Sequence, residues 1–379
     1  MVQISDNSDF PRPRLPGPQQ IIDFSRSIPP LPEIFARSLQ ATLTELSLID
    51  SIGLTSRNSI AGGSLTDRAA ARIWLQSRLP EPITPERLLV TNGTQSALLL
   101  LFEAIIGQGG LLAAEALSYG VLAQLAKRAH IRIAGLELDR DGIEPSFFEY
   151  TCKTRRPKAL YCNPTVHNPT ATVMSKARRK IIVEIARRYS VTILEDEPLG
   201  CLHPDAPEPL ARIAPDITWY VAGLTKGLAH GLRIAYVVGP SERDMEVVVG
   251  EARRLSHWFP SPIATTIVNS WITSGVAEQI RQDISREAVW RQQLAEAVLS
   301  GHDMSIQHGG LHAWLLLPQR FDQNEFARKL AGNNVLVRSS DAFAVDPLAN
   351  CTNAIRVSLS SPTSRDEVEH GLHLIASSL

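Results

Sequence analysis

The chain has 379 residues, of which 44% are hydrophobic and 20% are charged, and its formal net charge at pH 7 is −1. This balance is typical of a globular protein with one or two domains, and the near-neutral charge argues against a nucleic-acid or membrane-surface partner. The first ten residues lack the basic and apolar runs of a signal peptide, no apolar stretch reaches the ~20 residues of a membrane span, and the four cysteines are too widely spaced for a zinc site or a disulfide framework, so we expect a cytoplasmic protein.

The N-terminal arm is rich in proline, with seven prolines in the first 33 residues. Because proline fixes the backbone in extended conformations, this arm is predicted to be loop rather than helix. Helical periodicity follows over residues 34–48, residues 56–64 are predicted to form a loop, and a second helix is predicted over residues 67–78.

From Leu88 onward, short apolar runs alternate with amphipathic segments, which predicts βα units and a mostly parallel sheet. Strands are predicted at residues 88–90, 110–113, 131–134, 159–162, 192–194, 219–222 and 234–238. The predicted helices between them include residues 94–106, 119–129 and 175–189. In the last of these helices we expect the basic side chains to form a solvent-exposed face: Arg178, Arg179, Arg187 and Arg188.

The C-terminal part is predicted to be helical to about residue 300 and then to form a smaller α+β segment, with strands near residues 311–317, 335–338 and 355–359. The fold class is therefore predicted to be α/β. A large domain with a mostly parallel central sheet flanked by helices is expected over residues 46–275. A smaller α+β domain is expected to combine residues 1–45, the N-terminal arm, with residues 276–379.

Residues 90–95 place Gly93 where a predicted strand ends and a helix begins. The first amide groups of a helix are unpaired and lie at the positive end of its dipole, so a phosphate can bind the amides of Thr94 and Gln95. The same residues are equally typical of an ordinary helix cap.

Two more polar segments follow predicted strands. Residues 163–170 contain two Asn-Pro pairs where a turn needs one at most, so the second asparagine, Asn168, indicates ligand binding. Glu195, Asp196 and Glu197 follow an apolar strand, at the end where open α/β sheets bind ligands. Because neighbouring strand residues point to opposite faces, these carboxylates do not all converge on one ion, and no metal site is predicted.

Lys226 follows the predicted strand 219–222 among glycines and apolar residues. A lysine in a largely apolar pocket loses the solvation of its charged form, so its pKa falls and its amine becomes nucleophilic. A free surface lysine fits this segment equally well.

Together these segments resemble the fold-type I pyridoxal-phosphate-dependent aminotransferases of class I/II, and most closely the aminotransferase domain of MocR-type regulators of the GntR family. The resemblance runs from Ile22 to the C-terminus. Its motifs are Tyr161-Cys-Asn-Pro-Thr-Val-His-Asn-Pro-Thr, Glu195-Asp-Glu-Pro-Leu-Gly, Leu224-Thr-Lys-Gly-Leu-Ala-His-Gly-Leu-Arg, Gly309-Gly-Leu-His-Ala-Trp and Ala354-Ile-Arg-Val-Ser. It implies pyridoxal 5′-phosphate as cofactor, amino acids and 2-oxo acids as substrates, and a homodimer. MocR-type regulators carry an N-terminal DNA-binding domain; only a short loop-like segment precedes the similar region here, so we expect no direct DNA binding.

The resemblance implies a role for each site residue. Lys226 is the expected Schiff-base lysine and proton carrier, and Asp196 the partner of the pyridine nitrogen. Asn168 is expected to bind the cofactor's 3′ oxygen and to border the substrate, Tyr119 to stack on the ring, and Arg356 to bind the substrate α-carboxylate through its planar guanidinium. The residues implied to hold the phosphate are Gly93, Thr94, Gln95, Thr225 and Arg233.

Three positions depart from the family pattern: Leu199 and Asn58 replace cofactor-binding tyrosines, and Gly223 replaces a serine. Each loss removes a hydrogen bond worth ~1 kcal/mol or more where buried, which predicts weaker cofactor binding. Transamination is the leading hypothesis, while elimination, decarboxylation or racemisation, or a catalytically weak cofactor-binding sensor, remain alternatives. The substrate side chain is not predicted; four residues either line the pocket or are structural, namely His167, His230, His257 and Trp258.

Overall fold

The computed structural model describes residues 21–49, 53, 57, 60–254, 258–346 and 351–379. The first twenty residues, Asn58 and His257 lie outside the described residues. The helices are α1 Glu33–Ser47, α2 Leu65–Leu75, α3 Thr94–Leu101, α4 Leu122–Arg128, α5 Pro145–Arg155, α6 Lys176–Arg188, α7 Leu210–Ile213, α8 Glu242–Ala252, α9 Pro262–Ser274, α10 Val276–Val298, α11 Gln323–Gly332 and α12 Arg365–Ser378. The strands are β1 Ile22–Asp23, β2 Leu88–Thr91, β3 Leu111–Glu115, β4 Arg132–Leu136, β5 Leu138–Asp139, β6 Gly142–Ile143, β7 Ala159–Cys162, β8 Thr192–Asp196, β9 Thr218–Gly223, β10 Ala235–Val238, β11 Met304–Ser305, β12 Ala313–Leu316, β13 Val335–Leu336, β14 Arg338–Ser339 and β15 Ala354–Val357.

A seven-stranded sheet in the order β2-β10-β9-β8-β7-β3-β4 forms the centre of the molecule. The strands from β9 to β4 pair in parallel, whereas β10 runs antiparallel to both of its neighbours. Both faces are buried: Tyr220 packs in one apolar cluster and Val221 in the cluster on the other side. The predicted α/β fold with a mostly parallel central sheet is confirmed, and the carboxyl ends of its parallel strands share one edge.

A second sheet, in the order β11-β12-β15-β14, is antiparallel and packs in a separate apolar cluster with α11 and α12. Helix α10 connects the two regions, because Ile284 packs in a cluster of the large sheet and Ala295 in that of the second sheet. The domain boundaries at residues 45/46 and 275/276 stay a prediction. Among the described residues, no helix is both long and apolar enough to cross a lipid bilayer.

The prediction that the whole N-terminal arm is loop is wrong at β1. Ile22 and Asp23 pair in parallel with Val335 and Leu336. Proline excludes helix from this segment but leaves the proline-free residues between Pro18 and Pro29 able to pair as strand. The two strands form a separate two-stranded sheet, and Ile22 packs in the same apolar cluster as the second sheet.

The prediction of a fully exposed basic face on α6 is also wrong. Arg187 and Arg188 are exposed, but the side chain of Arg179 is 0% exposed. Its guanidinium donates to the carbonyl oxygens of Met174 and Pro164 and lies 3.6 Å from Glu195. Helical periodicity does not reveal these partners, because they lie in the loops after β7 and in β8 itself.

Candidate active site

A cavity of about 340 Å³ lies at the carboxyl edge of the seven-stranded sheet and is closed on one side by the second sheet. All ten residues to which the sequence assigned a site role line it: Gly93, Thr94, Gln95, Tyr119, Asn168, Asp196, Thr225, Lys226, Arg233 and Arg356. The strand order explains this convergence, because residues that follow β2, β7, β8 and β9 meet at one edge of a parallel sheet.

The first wall of the cavity is the start of α3. Gly93 precedes the helix with φ +83°, a backbone conformation that glycine adopts without strain. The amides of Thr94 and Gln95 are therefore at the positive end of the helix, and the Gln95 side chain donates to the Tyr119 hydroxyl at 2.9 Å. These are the features of an anion site beside an aromatic ring.

The glycine at position 223 is explained by a neighbour. A Cβ atom on Gly223 would lie 2.6 Å from Cγ2 of Thr94, which is closer than real Cβ contacts. The methyl group of Thr94 thus takes the space that a serine side chain would need. Leu199, the other departure among the described residues, is buried in an apolar cluster and is not among the residues that line the cavity.

The three consecutive carboxylates have separate environments. Glu195 accepts from the amides of Leu210 and Ala211 at 2.9 and 2.8 Å. Glu197, the residue after β8, lies on the same side of the sheet as Glu195 and accepts two hydrogen bonds from Arg78, at 2.8 and 3.0 Å. Asp196 points to the opposite face and into the cavity. No group of three metal-ligating side chains occurs among the described residues.

Asp196 has one satisfied and one free oxygen. The Tyr161 hydroxyl donates to Oδ2 at 2.8 Å, while Oδ1 is buried without a hydrogen-bond partner among the described residues. Burial raises the pKa of Asp196 to about 6, against the hydrogen bond from Tyr161 and the charge of Lys226. A buried acceptor without a donor is costly, so this atom fits a ligand that supplies an N–H group.

Lys226 also lines the cavity and lies three residues after the end of β9. Its ammonium group donates to the carbonyl oxygen of Ser27, in the N-terminal arm. Burial, and then the positive charge of Arg356, lower the pKa of Lys226 to about 7, while Asp196 acts in the other direction. A large fraction of this lysine is therefore a neutral, nucleophilic amine near pH 7.

Arg356 lies on β15 and is held by neutral groups. Its guanidinium donates to Asn168 Oδ1 at 2.7 Å and to the Ser25 carbonyl at 2.8 Å, and it lies 4.8 Å from the centroid of the Phe343 ring. Burial, and then the charge of Arg338, lower the pKa of Arg356 to about 9. An arginine with only neutral partners retains its attraction for an incoming anion.

Several cavity residues were missed in the sequence. Tyr161 belongs to a quoted motif, but nothing in the motif predicts its bond to Asp196; Arg26, Arg338 and Phe343 carry no sequence signal. Of the four residues left open, His230 lines the cavity. His167 and Trp258 are buried but do not line the cavity. The Nδ1 atom of His167 is 2.8 Å from the Thr170 hydroxyl.

The sequence model of the family described as "Aminotransferase class I and II" matches residues 65–375. An uncharacterized HTH-type transcriptional regulator, YdeF of Bacillus subtilis, is 28% identical to this chain over 83% of this chain and 67% of the regulator. A second regulator of the same organism, YdfD, is 25% identical, and this chain spans 61% of its length. Aromatic-amino-acid aminotransferase 1 of Thermococcus litoralis is 25% identical over 83% of this chain and 78% of its own. The crystal structure of an archaeal alanine:glyoxylate aminotransferase superimposes with a TM-score of 0.84 at 23% identity, covering 94% of this chain and 90% of the other.

Proposed function

We propose that this chain, which belongs to the class I and II aminotransferase family, moves an amino group from an amino acid to a 2-oxo acid with the help of pyridoxal 5′-phosphate. The observation that carries the proposal is the arrangement around one cavity of the Lys226 amine, the unpartnered Asp196 oxygen and the neutrally held Arg356. Each of the three meets one chemical requirement of amino transfer.

The cavity residues suit the cofactor. We assign the phosphate to the start of α3, together with Thr225 and Arg233, the 3′ oxygen to Asn168, and the ring to the space beside Tyr119. When bound, the cofactor supplies an aldehyde carbon that forms a covalent bond with amines and a protonated ring that accepts electrons from the substrate Cα.

Asp196 has the task of keeping the ring nitrogen protonated. Because Tyr161 occupies Oδ2, the second oxygen is left to accept a hydrogen bond from a ring N–H. A carboxylate in a buried site interacts with a positive charge far more strongly than it does in water. The same burial that raises the pKa of Asp196 thus strengthens its attraction for a cation.

Lys226 is proposed to hold the cofactor and then to carry a proton. A group whose pKa is near the working pH both accepts and releases a proton at low cost. The lowering of the Lys226 pKa to about 7 brings this amine into that range. Its contact with the Ser27 carbonyl keeps it at the cavity side of β9.

Arg356 is proposed to bind the α-carboxylate and so to orient the substrate. Its contacts with Asn168 and Ser25 fix the plane of the guanidinium before substrate arrives. A preorganised fork loses little freedom when it binds a carboxylate. The α-carbon is thereby held near Lys226.

We also propose that the protein is a cytoplasmic homodimer. The three buried cysteines, Cys152, Cys162 and Cys201, are thiols outside any disulfide, as expected in a reducing compartment. Large apolar side chains on α1 and α2 are exposed, among them Leu43, Leu65 and Ile73. We take these exposed apolar side chains as candidates for the subunit interface.

The second candidate function is a cofactor-binding sensor of low catalytic activity. The observation that favours it is Leu199, whose buried apolar side chain supplies no hydroxyl to the cavity. A sensor would bind amino acids without converting them. Elimination, decarboxylation or racemisation would instead release a product other than a 2-oxo acid.

The test is multiple-turnover amino transfer with the purified, cofactor-loaded protein. Mixed amino acids and 2-oxo acids are incubated with the wild type and with Lys226→Ala, and new amino acids are quantified by chromatography. We expect turnover in the wild type and a loss of at least about 10³-fold in the variant. Amino-acid-dependent spectral change without turnover would favour the sensor, and equal activity of the two proteins would overturn the proposal.

A further inference from the structure

The cavity has an excess of positive charge. Among the described residues that line it there is one carboxylate, Asp196, against one lysine and four arginines: Lys226, Arg26, Arg233, Arg338 and Arg356. In the proposed function the cofactor phosphate neutralises Arg233 and the substrate α-carboxylate neutralises Arg356. The amine of Lys226 is bound covalently to the cofactor. Arg26 and Arg338 remain, and the side chain of neither forms a hydrogen bond or ion pair with a described residue.

The position of Arg338 is set by strand register. Arg338 on β14 is directly opposite Arg356 on β15. Cross-strand neighbours have Cβ atoms about 4.5–5.5 Å apart on the same face of a sheet, and like charges in such a pair destabilise it. Arg356 is buried and held by neutral groups alone among the described residues, and Arg338 is an exposed residue whose side chain lines the cavity. One α-carboxylate at Arg356 therefore leaves the positive charge of Arg338 without an anionic partner among the described residues.

The guanidinium of Arg338 lines the cavity close to Tyr119, the residue assigned to the cofactor ring. Its Nη1 atom is 3.5 Å from the position that a Cβ on Gly120 would take, next to Tyr119. The charge of Arg338 lowers the pKa of both Tyr119 and Arg356, although burial raises that of Tyr119 overall. Arg338 is therefore close to both the predicted ring site and the predicted α-carboxylate site.

We propose that Arg338 binds a second carboxylate, on the substrate side chain, so that the enzyme acts on acidic amino acids and 2-oxo dicarboxylic acids. The proposal rests on the proposed function, because it takes the α-carboxylate to be at Arg356. A dicarboxylate places two negative charges a few ångströms apart, which matches two arginines on one sheet face. Arg26 is the less suited residue, since its neighbours Ser25 and Ser27 already accept from Arg356 and Lys226.

The direct test is equilibrium binding, which does not depend on turnover. Glutarate and pentanoate have the same chain length and differ by one carboxylate, and their affinities for the cofactor-loaded protein are measured by calorimetry. A charge-assisted hydrogen bond corresponds to about 10- to 150-fold in affinity. We expect the wild type to prefer glutarate by at least tenfold, and Arg338→Gln to remove the preference while leaving pentanoate binding unchanged.

Two further variants control for charge and folding. Arg338→Lys keeps the charge without the fork and should retain part of the preference. Arg328→Gln removes an exposed arginine from α11, with the same change of net charge, and should leave the preference intact. If Arg338→Gln binds glutarate as the wild type does while Arg26→Gln loses the preference, the assignment to Arg338 is overturned.

The kinetic arm compares kcat/KM for glutamate and glutamine. Arg338→Gln should lower the value for glutamate by about 10- to 150-fold and change that for glutamine less than about twofold. Equal affinity of the wild type for glutarate and pentanoate would defeat this inference and leave amino transfer standing. An Arg338-dependent glutarate preference without turnover of any amino acid would defeat the proposed function and leave the binding site standing.

Discussion

Two neighbouring polar regions of this molecule differ in how completely their groups are paired. The buried ion cluster, on one side of β8, comprises Arg78, Thr165, Arg179, Glu195, Glu197 and Tyr220. Its carboxylates accept from arginines, hydroxyls or backbone amides. In the cavity on the other side, Asp196 Oδ1 and Arg356 Nε are buried without partners among the described residues. Adjacent carboxylates in one tripeptide thus differ in pairing, and we propose that the paired ones stabilise the fold while Asp196 binds a ligand.

The largest expected effect is on stability, in the buried ion cluster. Arg78→Met should lower the free energy of unfolding by about 3–5 kcal/mol, because it leaves Glu197 as an uncompensated buried charge. Burial raises the pKa of Glu197, but Arg78 holds it below its ordinary value. In the variant the loss should therefore shrink as the pH falls from 7 towards 4 and Glu197 becomes protonated. The loss of unfolding free energy is measured by denaturant unfolding of the cofactor-free wild type and variant at several pH values.

The matched control for that variant is Arg188→Met. Arg188 also pairs with a glutamate, Glu149, at 2.9 Å, but its side chain is 60% exposed. Exposed ion pairs contribute about 0.2–1 kcal/mol. A loss at Arg78 no larger than that at Arg188 would contradict the idea that full pairing in the buried ion cluster serves stability.

The next effect is on catalysis, in the cavity. Asp196→Asn should lower kcat by about 10²–10³-fold, the range for one preorganised electrostatic partner. The free energy of unfolding of the cofactor-free protein should stay within about 1 kcal/mol of the wild type or exceed it, because burial already disfavours the ionised form of Asp196. If Asp196→Asn lowered activity and the free energy of unfolding together, the claim that the cavity and the buried ion cluster have different roles would be wrong.

The smallest effect is expected at Tyr161, whose hydroxyl donates a hydrogen bond to Oδ2 of Asp196. Tyr161→Phe removes the hydrogen bond that lowers the pKa of Asp196, so this pKa should rise above about 6. We expect about a tenfold loss of kcat, with the acid limb of the pH–rate profile moved to higher pH. A lower kcat with an unmoved acid limb would mean that Tyr161 acts on packing and not on Asp196.

The sequence predicted those parts of the fold and site that depend on local pattern. Alternating apolar runs located the strands of the large sheet, and the resemblance to a known family assigned the ten residues that line one cavity. Features that depend on pairing between distant segments were not predicted. The role of Arg338 depends on its register with Arg356, the burial of Arg179 on loops distant in sequence, and the glycine at 223 on the methyl group of Thr94.

The central claim is that Lys226 holds the cofactor, and chemical trapping tests it most directly. The protein loaded with pyridoxal 5′-phosphate is reduced with sodium borohydride, which fixes lysine-bound cofactor as a stable secondary amine, and the modified peptide is identified by mass spectrometry. We predict modification at Lys226, and none when an amino acid donor has been added first without a 2-oxo acid. Modification of a different lysine, or of none, would contradict the claim.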